Sequence, residues 1–135
     1  MIERTIPKLI ERLKGIRDGT YDNKPYYGII MEEDSNDWQY LYQGLFIGNL
    51  ATDWSQRWRV YLGFKFELPS HEDLQSIRVL VFPGSARAVY DESNLFVPVV
   101  SAFIRKVMSD YPKIKLFGSC FGHQIFGHAL GGRTE

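Results

Sequence analysis

Few features of these 135 residues assign them by composition alone. There is one cysteine, so no internal disulfide can form, which fits a reducing compartment. No sign of charge dominates: 16 basic residues balance 16 acidic ones, and no net field draws in nucleic acid or an anionic membrane. No apolar run is long enough to span a bilayer. The opening MIERTIPKLIERLKG is charged throughout and lacks the apolar centre of a secretory leader. Repeats and low-complexity tracts are absent too. The expectation is a cytoplasmic protein with neither nucleic acid nor membrane as partner. What is present is enough to fold: 44% of the residues are apolar and 15% aromatic, which supplies a core.

Periodicity orders the chain. Ile6, Leu9, Ile10, Leu13 and Ile16 share one helical face, and RDGTYDNKP reads as a loop, so residues 1–24 are expected to form an N-terminal helix and loop extension. Tyr27 to Met31 reads as a buried strand. Asp37 is expected to cap a helix whose buried stripe is Trp38, Leu41, Leu45 and Phe46. RWRVYLGFKFELP predicts a second strand, with Val60, Leu62 and Phe64 on one side, and SHEDLQSI a helical turn. Val79 to Phe82 is the clearest strand, stopped by Pro83 and Gly84. A helix follows, with Val99, Phe103, Val107 and Met108 as its buried face, then the strand KIKLFGS and a helix closed by Gly131 and Gly132. This alternation predicts an α/β fold, a flavodoxin-like parallel sheet with helices on both faces. After Gly132 such a domain normally enters its next strand, so the fold is expected to be cut short there.

The single thiol stands in Gly118-Ser119-Cys120-Phe121-Gly122, between a predicted strand and a predicted helix. That pattern has the form of a nucleophile elbow, a sharp turn that lifts a reactive side chain above the sheet. Glycine two residues to either side is needed because side chains there would collide across the turn. The helix N-terminus favours a thiolate, and the Phe121 N–H is free to stabilise an oxyanion.

GSCFGHQIFGHALGG closely resembles the nucleophile segment of class I glutamine amidotransferase domains, and VLVFPGSARAVYDE resembles their third strand and the loop after it. The resemblance covers residues 26–135, is strongest over 77–132, and is nearest in style to stand-alone γ-glutamyl peptidase-like members. It implies that residues 25–135 are the N-terminal portion of such a domain. It further implies Cys120 as nucleophile and the backbone N–H groups of Gly84 and Phe121 as oxyanion hole. Gln124 and Ser85 would be substrate contacts. The implied reaction is hydrolysis of the glutamine side-chain amide, or of a related γ-glutamyl bond, through a cysteine thioester, with no cofactor and no metal. The substrate is then a small molecule, and a protein partner would cover the truncated sheet edge.

One departure is large. The family activates its cysteine with a histidine followed two residues later by a glutamate, and His71, His123 and His128 all lack that partner. None is given the base role. The alternative is a truncated or inactive module that acts by binding a partner.

Three further signals have an ordinary structural reading. The acids of EEDSNDWQ read as a solvated loop. Arg57, Arg59 and Lys65, interleaved with Trp58, Tyr61 and Phe64, read as a half-exposed sheet edge rather than a nucleic-acid surface. PGSARAVYD lacks the glycines of a phosphate cradle.

Overall fold

A computed structural model describes residues 26–51 and 57–134; the expected N-terminal helix lies outside them. Four strands run parallel: β1 (Tyr27–Met31), β2 (Trp58–Leu62), β3 (Val79–Phe82) and β4 (Lys115–Gly118). Their order is β2-β1-β3-β4, the flavodoxin-like arrangement, in which the direction of strand addition reverses between β1 and β3. β3 and β4 are in register from Val79↔Lys115 to Phe82↔Gly118.

Strand alternation gives the sheet two apolar faces. Ile30, Tyr61, Leu80 and Phe82 point to one face. There they meet α2 (His71–Ser76) through Leu74, α3 (Phe96–Asp110) through Val100, Ile104 and Val107, and α4 (Phe121–Ala129) through Phe121 and Ile125. Ile29, Met31, Val60 and Val81 point to the other, which is covered by α1 (Asn36–Leu50) through Ile47. Helices on both faces are thus as expected.

The phases of two helices differ from the sequence reading. On α1 it is Gln39, Gln43 and Ile47 that are buried, whereas Trp38, Leu41 and Leu45 are about half exposed. The stripe expected as core therefore faces outward, and only Phe46 of that set packs inward, against Phe117 and the second cluster. Ser35, not Asp37, occupies the cap position, and Asp37 lies in the first turn. On α3 Phe103 and Val107 are buried as expected, but Val99 and Met108 are exposed and Val100 and Ile104 take their places. The sequence FVPVV is apolar at four of five positions, so it fixes a helix without fixing which side faces the sheet.

Local chemistry closes the ends. The Ser70 hydroxyl accepts from the Asp73 N–H at 3.1 Å and starts α2. Gly131, at φ 88°, ends α4, and the Gly132 N–H returns to the Gly127 carbonyl at 2.7 Å.

Candidate active site

The carboxyl ends of β3 and β4 open into two adjacent loops, and the chain's one thiol lies between them. Cys120 has φ 52° and ψ −114°, a conformation that costs a non-glycine residue about 1–3 kcal/mol. The surrounding backbone imposes it. The Ser119 N–H bonds the Phe82 carbonyl at 3.0 Å, and the Gly122 N–H bonds the carbonyls of Pro83 at 3.2 Å and Ser119 at 2.9 Å. Both flanking glycines are required for that closeness. A Cβ on Gly122 would lie 1.9 Å from the Phe82 oxygen, and one on Gly118 would lie 2.7 Å from the Gly122 carbonyl. The thiol is exposed.

Beside it is a cavity of about 260 Å³ lined by Tyr42, Leu45, Phe46, Gly84, Phe117 and Cys120, among others. Gly84 and Cys120 thus share one cavity wall, although they come from different loops. A Cβ on Gly84 would sit 2.8 Å from the Tyr42 hydroxyl, so a side chain there would push the phenol aside. Burial is the main cause that pushes the Tyr42 phenol up in pKa, with the charges of Glu33 and Cys120 adding to it. Phe121 opens α4, so its N–H has no intrahelical acceptor.

No family model matches the chain. Curated relatives do match it. Over 83 residues it is 31% identical to a glutamine amidotransferase-like protein of Schizosaccharomyces pombe, covering 60% of this chain and 33% of that protein. It is 28% identical over 93 residues to gamma-glutamyl peptidase 4 of Arabidopsis thaliana, covering 69% of this chain and 36% of the relative. It is 32% identical over 75 residues to anthranilate synthase component 2 of Thermus thermophilus, covering 56% and 32%. The chain is similar to glutamine amidotransferase-like proteins and gamma-glutamyl peptidases, consistent with a class I glutamine amidotransferase-like domain. It spans about a third of the length of these relatives.

The remaining expected site residues are distributed unevenly. Gln124 is on the exposed side of α4, its N–H bonded to the Cys120 carbonyl at 3.0 Å. The Ser85 hydroxyl is engaged within the protein: it donates to the Glu32 carbonyl at 3.0 Å and accepts from the Arg87 N–H at 3.0 Å. His123 and His128 are exposed on α4, and His128 lines a separate cavity with Val89, Asn94 and Arg133. His71 is farther still. It opens α2 ahead of β3, at the amino-terminal side of the sheet, where it bonds Tyr111 and Gln75. Among the described residues no group of three or more histidine, cysteine, aspartate or glutamate side chains could hold a metal ion. No described helix is long and apolar enough to cross a membrane.

Sequence reasoning missed Tyr42 and Phe117 as cavity walls, and it misjudged the acids after β1. Glu32 and Glu33 are buried rather than solvated. Among the described residues neither carboxyl oxygen of Glu32 has a hydrogen-bond partner, and burial raises its pKa well above the usual carboxylate range. A signal was available: residues just past the carboxyl end of a central strand sit where α/β folds build their sites.

Proposed function

We propose that the chain carries the nucleophile half of a cysteine-dependent amidohydrolase site acting on the glutamine side-chain amide or a related γ-glutamyl bond. The strained backbone of Cys120 at the strand-to-helix turn is the observation that supports this best. A buried structural cysteine has no need of positive φ or of two glycines held against backbone atoms.

In this reading the Cys120 thiolate attacks the amide carbonyl carbon, and a carbon–sulfur bond forms. The carbonyl oxygen takes up the negative charge beside the N–H groups of Gly84 and Phe121. The carbon–nitrogen bond then breaks, ammonia leaves with an added proton, and water hydrolyses the thioester to glutamate and the free thiol. Gln124 helps hold the amino-acid end of the substrate. The histidine–glutamate pair that would move these protons does not occur in the sequence, so the 135 residues alone are expected to release ammonia negligibly.

The test needs no turnover. A chloromethyl ketone shaped like glutamine should alkylate Cys120, and free glutamine or a γ-glutamyl peptide should slow it; peptide mass mapping reads both. Protection by the peptide alone would place the substrate among γ-glutamyl compounds. Labelling that neither ligand slows would refute the reading.

A further inference from the structure

The acids that leave β1 sit at the crevice between β1 and β3, where the order of strand addition reverses and doubly wound sheets usually bind a ligand. Here the chain's own hydrogen bonds bridge it. Three consecutive residues hold three others. The Glu32 carbonyl accepts from the Ser85 hydroxyl at 3.0 Å, Glu33 Oε2 accepts from the Ala86 N–H at 2.7 Å, and Asp34 pairs with Arg87. Glu33 Oε1 also accepts from the Ser35 N–H at 3.1 Å. One carboxylate therefore joins the loop after β1 to the loop after β3.

The three acids are not equivalent. The Asp34–Arg87 pair has side chains 45% and 46% exposed, and such pairs contribute little. Glu32 touches the loop only through its main chain, which any residue could supply. Glu33 alone is both buried, at 4% exposure, and bonded to the loop through its side chain.

We propose that Glu33 is a positioning residue that fixes the loop following Gly84, and with it the Gly84 N–H, at the distance from Cys120 that the oxyanion requires. The inference rests on the oxyanion hole proposed above. It also gives Ser85 a role within the same latch, since its only proton is already committed to Glu32.

Two reactions of Cys120 in the 135-residue chain separate the hole from the thiol. Iodoacetamide alkylates by displacement at carbon and forms no oxyanion. 4-Nitrophenyl acetate acylates through one: the carbon–sulfur bond forms, the carbonyl oxygen takes the charge, and 4-nitrophenolate leaves with its electron pair, needing no acid. The ratio of the two rates reads the hole and cancels thiol exposure and ionisation. Glu33→Gln keeps the shape but turns an amide N–H₂ toward one of the two backbone N–H groups. It should lower the ratio about tenfold, less than outright loss of an oxyanion donor, with alkylation unchanged. Ser85→Ala should act in the same direction without disturbing the buried carboxyl. A wild-type ratio above that of N-acetylcysteine, unchanged in both variants, would overturn the proposal, as would a parallel fall of both rates. A wild-type ratio no higher than that of N-acetylcysteine would instead overturn the hole itself, and the latch with it.

Discussion

Replacing Gly122 by alanine is the most direct challenge to the elbow. Within a helix the exchange should help, because alanine is favoured over glycine by about 1 kcal/mol. Here the new methyl would stand 1.9 Å from the Phe82 carbonyl oxygen and 2.6 Å from its carbon, whereas ordinary contact begins at 3.4 Å. The obstacle is backbone of a central strand and cannot rotate away. Relief would require α4 to retreat from β3, which breaks the Gly122–Pro83 hydrogen bond, worth about 1 kcal/mol, in addition to an overpacking cost of about 1–3 kcal/mol. The clash therefore wins. The net loss should be about 1–3 kcal/mol after the helix gain is subtracted, a fall in melting temperature of about 5–15 °C, read by circular dichroism. Gly127 serves as the internal control, since it lies on the same helix and a Cβ there meets nothing within 4 Å. Gly127→Ala should raise stability by about 0.5–1 kcal/mol. A Gly122→Ala protein that melts within about 2 °C of the wild type would refute the steric account of the turn.

Glu32 should impose a pH dependence on stability. Its folded pKa is raised by burial, so the native state keeps a proton that the unfolded chain releases above about pH 4.3. Its contribution is intact below that pH and is lost as pH rises toward the folded value, at up to about 1.4 kcal/mol per pH unit. Glu32→Gln should remove this slope and be the more stable protein at pH 8, measured by urea unfolding; parallel profiles would refute the assignment. Tyr61, whose hydroxyl donates to Asp73 Oδ2 at 2.9 Å beside the Arg59–Asp73 pair at 3.1 Å, should lose about 1 kcal/mol as Tyr61→Phe; the urea midpoint reads this. Ser70→Ala removes the cap of α2 and should cost about 1 kcal/mol by the same measurement.

The strands and the elbow were the legible parts of the sequence, for reasons that differ. Tyr27 to Met31 and Val79 to Phe82 are apolar runs broken by turn formers, and a strand buried on both faces produces that pattern. The Gly-x-Cys-x-Gly turn was readable because close backbone approach leaves only one residue type at two positions, and Gly118 and Gly122 both meet such contacts. Helix phase was harder. Trp38, Leu41 and Leu45 have the spacing of a core stripe, yet α1 turns Gln39 and Gln43 inward, and spacing carries no information about which arc meets the sheet. Glu33 was misread because a carboxylate can be buried when backbone N–H groups donate to it, here those of Ser35 in its own loop and Ala86 in another. The Glu33–Ala86 bond spans 53 positions, a separation that no local pattern encodes.

The register of β3 against β4 acts as a gauge for the chemistry above it. The last registered pair, Phe82↔Gly118, launches both loops, so the gap between Gly84 and Cys120 is inherited from the spacing of two neighbouring parallel strands, about 4.8 Å. A slip of one residue would slide one loop past the other by about 3.3 Å, more than the tolerance of a hydrogen bond. Loop sequence can therefore drift at little cost to this dimension, while an insertion inside either strand would carry the Cys120 thiol away from the Gly84 backbone across the cavity they share.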